Sequence, residues 1–323
     1  MSTEISFLSN ARYGKDKVRV LRVVRQGSLH LIVEYNVTVL VEGDIDVSYT
    51  KADNSVVVAT DSLKNITYYL AKVSPHVLIP ERFALHLGVH LVSKYSHLHK
   101  AFITVEQLRW SRISVHNGSE SKEHPYSFLR DGDEKRFVKV EVDASAGKNH
   151  LVGRVSAGIT DLLVLKSTGS SFSNFVRDEY TTLVEVDDRI FSTSVDLNYT
   201  FAPIELPCPK RDDKLDFNIP VADGQGVGTV WDTSVPDKAR KVTLEVFAQD
   251  DSASVQATLY KMATQIVQDH PGVASVSYAL PNKHFIPVDM KYIQVDNLTP
   301  SNAEVFMPVS APSGLISATI SRK

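Results

Sequence analysis

Few of the residues able to do chemistry in this 323-residue chain stand at spacings that declare a reaction. His86 and His90 are four apart in a stretch that reads as a helix, which places both imidazoles on one face and suits zinc. No Glu stands between them as a metalloprotease requires, and no third ligand is evident, so helix-surface or core histidines are the better reading. The carboxylate pairs Asp187-Asp188 and Asp250-Asp251 lie in or near turns. They read as solvated turn residues ahead of a general acid/base pair. Gly224-Gln225-Gly226-Val227-Gly228 lacks the GxGxxG spacing, the preceding strand and the following helix of a dinucleotide fingerprint, and reads as a flexible loop.

Four further positions carry chemistry only in combination. Thr60-Asp61 ends an apolar run and starts a helical one. Such a pair ordinarily just opens a helix, but a hydroxyl beside free helix N–H groups also makes a small site for an anion or an electron-rich ring. Arg189 follows Asp187-Asp188 in a strand-like region, where an ion pair explains it in isolation. Gln256 on the first turn of a helix is ordinarily solvated, and His284 in Pro281-Asn282-Lys283-His284 is ordinarily a loop histidine. No one of them is decisive.

The elements that must position these groups are clearer. Val33, Tyr35, Val37, Val39 and Val41 alternate with polar residues as a half-buried strand, and Val18 to Val24, joined through Gln26-Gly27-Ser28, is its hairpin partner. A helix begins after Pro80 with Phe83, Leu87 and Leu91 on one face, followed by a strand from Ala101 towards Trp110. The second half repeats the order. Val138, Val140 and Val142 alternate, and another apolar run starts at Leu151. A helix carries Val255, Leu259, Met262 and Ile266, then a strand runs from Val273 to Leu280. In each half an apolar strand, Val56 to Ser62 and Leu163 to Ser170, is expected to end in hydroxyl residues and pass into a helix capped by Ser62 or Ser170. Cys208 to Trp231 reads as a long loop. The organisation expected is α+β: two tandem domains, 1–149 and 150–323, each an antiparallel sheet with helices on one face. The other sheet face then needs cover, which predicts oligomerisation.

Composition is that of a globular protein, 43% hydrophobic and 23% charged, and the net charge of −3 gives no field to recruit nucleic acid or an anionic membrane. No apolar run is long enough to span a bilayer. The N-terminus has no secretory pattern, and the single Cys208 cannot form an internal disulfide, which suits a reducing compartment. Ser321-Arg322-Lys323 matches the first two positions of a peroxisomal tripeptide and departs at the last, where Leu is usual. The expectation is a peroxisomal or otherwise cytoplasmic protein.

Five separated segments together resemble the urate oxidase family. They are Ala11-Arg12-Tyr13-Gly14-Lys15, the run Ala59 to Asn65, and the run Leu163 to Phe172 with Phe175, Tyr180, Leu183 and Arg189. Val255-Gln256-Ala257-Thr258 and Leu280-Pro281-Asn282-Lys283-His284 complete the set, in the family's order. Relatives often carry larger residues where Ser173 and Asn174 stand, which bears on packing behind the Phe172 ring.

The resemblance implies two tandem tunnelling-fold domains and a homotetramer with active sites shared between neighbouring subunits. It implies oxidation of urate by O2 to 5-hydroxyisourate with release of H2O2, without metal or organic cofactor. By the same resemblance Phe172 stacks on the purine, Arg189 grips one edge, and Gln256 with the Val255 N–H grips the other. Thr60 and Asp61 come from the adjacent subunit, Asn282 holds oxygen, and Lys15, Thr60 and His284 relay the proton. Two rivals stand beside this: a tunnelling-fold enzyme acting on a pterin-like heterocycle, disfavoured by the lack of a Cys/His metal set, and a non-catalytic purine-binding protein, disfavoured by Lys15, Thr60 and His284.

Overall fold

The computed structural model describes residues 5–118, 120–209 and 232–323. Gly224 to Gly228, and the Cys208 to Trp231 segment beyond Pro209, lie outside the described residues. In chain order the elements are β1 (Tyr13–Gln26), β2 (Leu29–Gly43), α1 (Asp46–Thr50), α2 (Thr60–Val73), α3 (Pro80–Lys94), β3 (Leu98–Asn117), β4 (Glu120–Asp143) and β5 (Leu151–Lys166). After these come β6 (Phe191–Phe201), β7 (Ile204–Leu206), α4 (Val235–Gln249), α5 (Val255–Asp269), β8 (Val273–Pro287), β9 (Phe306–Val309) and β10 (Leu315–Ser321). The chain divides into two compact units, Met1–Gly158 with Thr200–Asp232, and Ile159–Tyr199 with Thr233–Lys323.

In the first unit β1 to β4 are successive antiparallel neighbours. Their register aligns Val18 with Val37, Val37 with Val105 and Val105 with Val138, a row of buried valines across four strands. Period-two alternation directs these side chains to one face. On that face α3 packs against β3 and β4, and α2 against β1. Pro80 opens α3, whose Phe83, Leu87 and Leu91 are fully buried as the spacing predicts. Each such side chain contributes about 1.5–3 kcal/mol on burial.

The apolar run before α2 is not a strand. Val56 lies in a turn, the Val57 N–H donates to the Asn54 carbonyl at 3.0 Å, and the Val58 N–H donates to the Tyr13 hydroxyl at 2.7 Å. With those donors committed, no ladder forms. Ser62 sits inside the first turn of α2, and Ala59 holds the cap position without a side-chain hydrogen bond.

In the second unit β8 lies between β6 and β10, and pairs with β9 at its far end. The helix α5 packs on α4, β8 and β10. Its Val255, Leu259, Met262 and Ile266 are buried, and Ser254 caps it by accepting from the Ala257 N–H at 3.1 Å. The expected helix after Ser170 is absent: β5 ends at Lys166, and residues 167–190 run without a helix. Gly169 takes a positive φ of 78°, and the Gly169 and Ser170 N–H groups, which a helix start would present, point instead at Asp188. The helix α4, not foreseen, buries Val235, Ala239, Val242, Thr243 and Phe247 at helical spacing.

Candidate active site

The 167–172 turn is the hub of the second unit's polar chemistry. The Asp188 carboxylate accepts from the Thr168 hydroxyl at 2.6 Å, from Gly169 N–H at 2.8 Å and from Ser170 N–H at 3.4 Å. The Arg189 N–H in turn donates to the Ser170 carbonyl at 2.8 Å. On the turn's other side, Ser171 N–H donates to the Ser252 carbonyl at 2.9 Å and Ser252 N–H to the Gly169 carbonyl at 3.0 Å. The same turn is therefore bonded to the start of β6 and to the segment leading into α5. Lys166 adds a further tie, donating to the Asp250 carbonyl at 2.5 Å.

Out of this turn come the ring and the cation. The Arg189 guanidinium lies 5.2 Å from the Phe172 ring centroid, within cation–π range. Phe172 in turn stacks on Phe175, centroids 4.9 Å apart and planes 13° from parallel, and Arg177 lies 5.0 Å from the Phe175 ring on the same pile. Between the two rings stand Ser173 and Asn174, the latter at a positive φ of 57°, and Phe175 supplies packing at the Phe172 ring. Arg189 is about half-buried, and burial pulls its pKa below the ordinary value. Among the described residues no carboxylate lies within 4 Å of it, so the ion pair that would explain it in isolation is absent. A partly desolvated guanidinium without an anion is poised to take one.

Val255 and Gln256 are the first two residues of α5, three and four positions beyond Ser252, so the loop that carries Phe172 also sets the helix start. The N–H groups there have no partner within the helix. Asn282 and His284 lie two apart on β8, hence on one side of it. Asn282 N–H donates to the Gly314 carbonyl at 2.8 Å, and His284 is opposite Val309 of β9.

Lys15, Thr60 and Asp61 belong to the first unit, where β1 meets the start of α2. Gly14 lets β1 lie close against β2 just before Lys15: a Cβ there would fall 1.8 Å from the Val39 carbonyl oxygen. The register of β1 shifts between Lys15 and Val18, and the Tyr13 hydroxyl anchors the backbone two residues before Thr60. Thr60 is the first residue of α2 and is exposed. The Asp61 carboxylate is held by Lys64 at 2.5 Å and by the Asn65 amide at 2.9 Å. Its pKa is lowered chiefly by Lys64, and Lys15 is close enough to add to the effect. Asp61 lies in the first turn of α2, where backbone N–H groups have no partner within the helix.

His86 is a core histidine. It is 2% exposed, hydrogen-bonded to the Ser74 hydroxyl at 2.8 Å, and pushed down to about 4 by burial first and by His76 and His90 next. Among the described residues no three His, Cys, Asp or Glu side chains converge as a metal site would require. One member of each carboxylate pair has a structural task, and Asp250, at the C-terminal cap of α4, is largely buried where a solvated turn residue was expected. Asp188 organises the 168–170 turn, and Asp250 accepts from the Thr258 hydroxyl at 2.6 Å and from Lys261. The sequence names Asp188, Tyr13 and Phe175 but gives none of them its part in building the site. Tyr13 and Phe175 stand inside the segments that carry the family resemblance, and Asp188 immediately precedes Arg189.

A family model described as Uricase matches residues 11–141 and 155–317. The chain is 44% identical over 324 residues to a uricase of Emericella nidulans, covering 99% of this chain and 98% of that one. To a uricase of Aspergillus flavus it is 43% identical over 323 residues, covering 98% of each. The crystal structure of a uricase from Arthrobacter globiformis matches with a TM-score of 0.78 at 32% identity, over 98% of this chain and 96% of that chain. The architecture is accordingly the expected α+β tunnelling fold.

Proposed function

From the premise that this chain belongs to the uricase family, and is thereby an oxidoreductase, we propose that it oxidises urate with O2, releasing H2O2 and forming 5-hydroxyisourate. The family match sets aside the pterin-directed alternative. The observation that carries the reading is Arg189: half-buried, facing an aromatic ring, without a carboxylate partner among the described residues, and bonded through its N–H to the turn that is itself tied to Ser252 ahead of the Gln256 helix start.

Urate is flat, anionic and rimmed with hydrogen-bonding groups. Its ring stacks on Phe172, which holds a purine face without selecting an edge. Arg189 offers a planar fork to the anionic carbonyl/nitrogen edge. Gln256, with one donor and one acceptor, and the Val255 N–H take the opposite imide edge. Thr60 and the Asp61 N–H meet the imidazole side from the neighbouring subunit of a homotetramer.

Triplet oxygen reacts slowly with closed-shell organic molecules, but the delocalised urate dianion can pass single electrons to it unaided, so neither metal nor organic cofactor is needed. The protein's share is to remove a proton and to fix the geometry. Lys15 takes the proton through the Thr60 hydroxyl, with His284 completing the relay. Asn282 holds O2 over the ring. Two electrons and two protons pass from urate to O2, giving a dehydrourate and H2O2, and water then adds to give 5-hydroxyisourate. A peroxide-producing enzyme belongs beside catalase, and Ser321-Arg322-Lys323 is the proposed peroxisomal address. Arg322 is bonded to the Val267, His270 and Val273 carbonyls, so an import receptor competes with those bonds.

The test follows urate's ultraviolet absorbance, oxygen uptake and peroxide together in chelator-treated buffer. Equimolar consumption of urate and O2 with equimolar H2O2 is expected. No turnover, or turnover only on adding a metal, overturns the reading.

A further inference from the structure

We infer that Asp188 is a positioning residue for the urate site: by holding the 168–170 turn it fixes Phe172 against Arg189 and leaves the Arg189 guanidinium free of an internal anion. The inference rests on the urate reading above. An Asp next to an Arg is the ordinary source of an ion pair, yet no bridge between the two forms here. The Asp188 carboxylate is occupied instead by the Thr168 hydroxyl and by two successive N–H groups, Gly169 and Ser170. Gly169, at a φ of 78°, turns these donors to the same side, a concave arrangement suited to an anion. The carboxyl is accordingly held below its usual range, by the Thr168 hydroxyl foremost.

The consequence is geometric. Residues 188 and 189 are stitched to the turn from two sides, by the carboxylate and by the Arg189 N–H to Ser170. The turn continues directly into Phe172 and is bonded through Ser252 to the start of α5. One exposed carboxylate thus sets the relative positions of the stacking ring, the guanidinium and the Gln256 helix start. Because Asp188 is exposed, replacing it removes little buried area.

Asp188→Ala, Asp188→Asn and Thr168→Val separate this from a merely structural role. Urate affinity is read by anaerobic equilibrium titration, KM and kcat in air, and fold integrity by thermal unfolding. Losing the hydrogen bonds to a charged group predicts that Asp188→Ala raises both Kd and KM about ten-fold or more, with a smaller fall in kcat. Asp188→Asn keeps one acceptor for the Gly169 N–H and falls between parent and Ala, and Thr168→Val shifts both constants about three-fold the same way. In an Arg189→Met background, read by equilibrium titration, the Asp188→Ala effect on Kd is smaller than in the parent, because the share that acts through Arg189 is already lost while the share that acts through Phe172 remains. Unchanged Kd and KM in Asp188→Ala, whatever its melting temperature, would overturn the inference. If that variant does not fold, unchanged constants in Thr168→Val and Asp188→Asn overturn it equally. A parent that neither binds nor oxidises urate would strike the functional reading itself, which is a different failure.

Discussion

At the scale of single residues, the proposed chemistry has two halves: groups proposed to hold the purine and groups proposed to move its proton. Arg189→Lys keeps the charge but gives up the planar fork. It should lower kcat/KM about ten- to hundred-fold, most of it through KM, because one charge-assisted contact is worth about 1.5–3 kcal/mol. Steady-state kinetics with urate reads this directly, and equal effects on Lys and parent would deny a bidentate contact. Lys15→Met predicts the opposite split. Removing a general base lowers kcat about 100- to 10,000-fold while KM stays within a few-fold, since the ring contacts remain. A Lys15→Met enzyme with full kcat would remove Lys15 from the relay.

At the scale of elements, α3 carries a consequence for pH. His86 is neutral in the fold, with its pKa pushed down to about 4 by burial foremost, against an ordinary 6.5. The unfolded chain therefore binds the proton more readily, and the stability contributed by neutral His86 is present above pH 6.5 and lost as pH falls towards about 4. The melting temperature should drop across that window, and His86→Gln should flatten the slope there. A parent whose stability is level between those values would contradict the burial argument. Much at this scale was legible from periodicity: the valine alternation of β1 and β2, Pro80 opening α3, and the helical spacing from Val255 to Ile266. What escaped depends on partners far along the chain. Val58 is kept out of a strand by Tyr13, 45 residues away, and Ser170 out of a helix by Asp188, 18 residues away. The pile of Phe175 on Phe172 exists only once the turn has closed. The candidate residues themselves came from the family resemblance, because helical or strand periodicity carries no trace of an unpaired guanidinium.

At the scale of the whole molecule, the reading divides the site between subunits. Lys15, Thr60 and Asp61 stand in one compact unit, and Phe172, Arg189, Val255, Gln256, Asn282 and His284 in the other. Two inactive variants, Lys15→Met and Arg189→Met, should therefore complement each other. If neighbouring subunits build each site, unfolding and refolding a mixture restores about a quarter of the parent sites, the fraction in which both halves are intact by random assortment. Activity no greater than the sum of the separate variants would mean that each site is built within one chain.

The central claim is that Phe172, Arg189 and Gln256 clasp the purine. The most direct measurement is a crystal structure with a purine analogue that the enzyme cannot oxidise. The ring is expected about 3.5–4 Å from the Phe172 face, with Arg189 on one edge, Gln256 and the Val255 N–H on the other, and a neighbouring subunit's Thr60 at the imidazole side. An analogue bound elsewhere, or Phe172, Arg189 and Gln256 on separate surfaces in the complex, would contradict it.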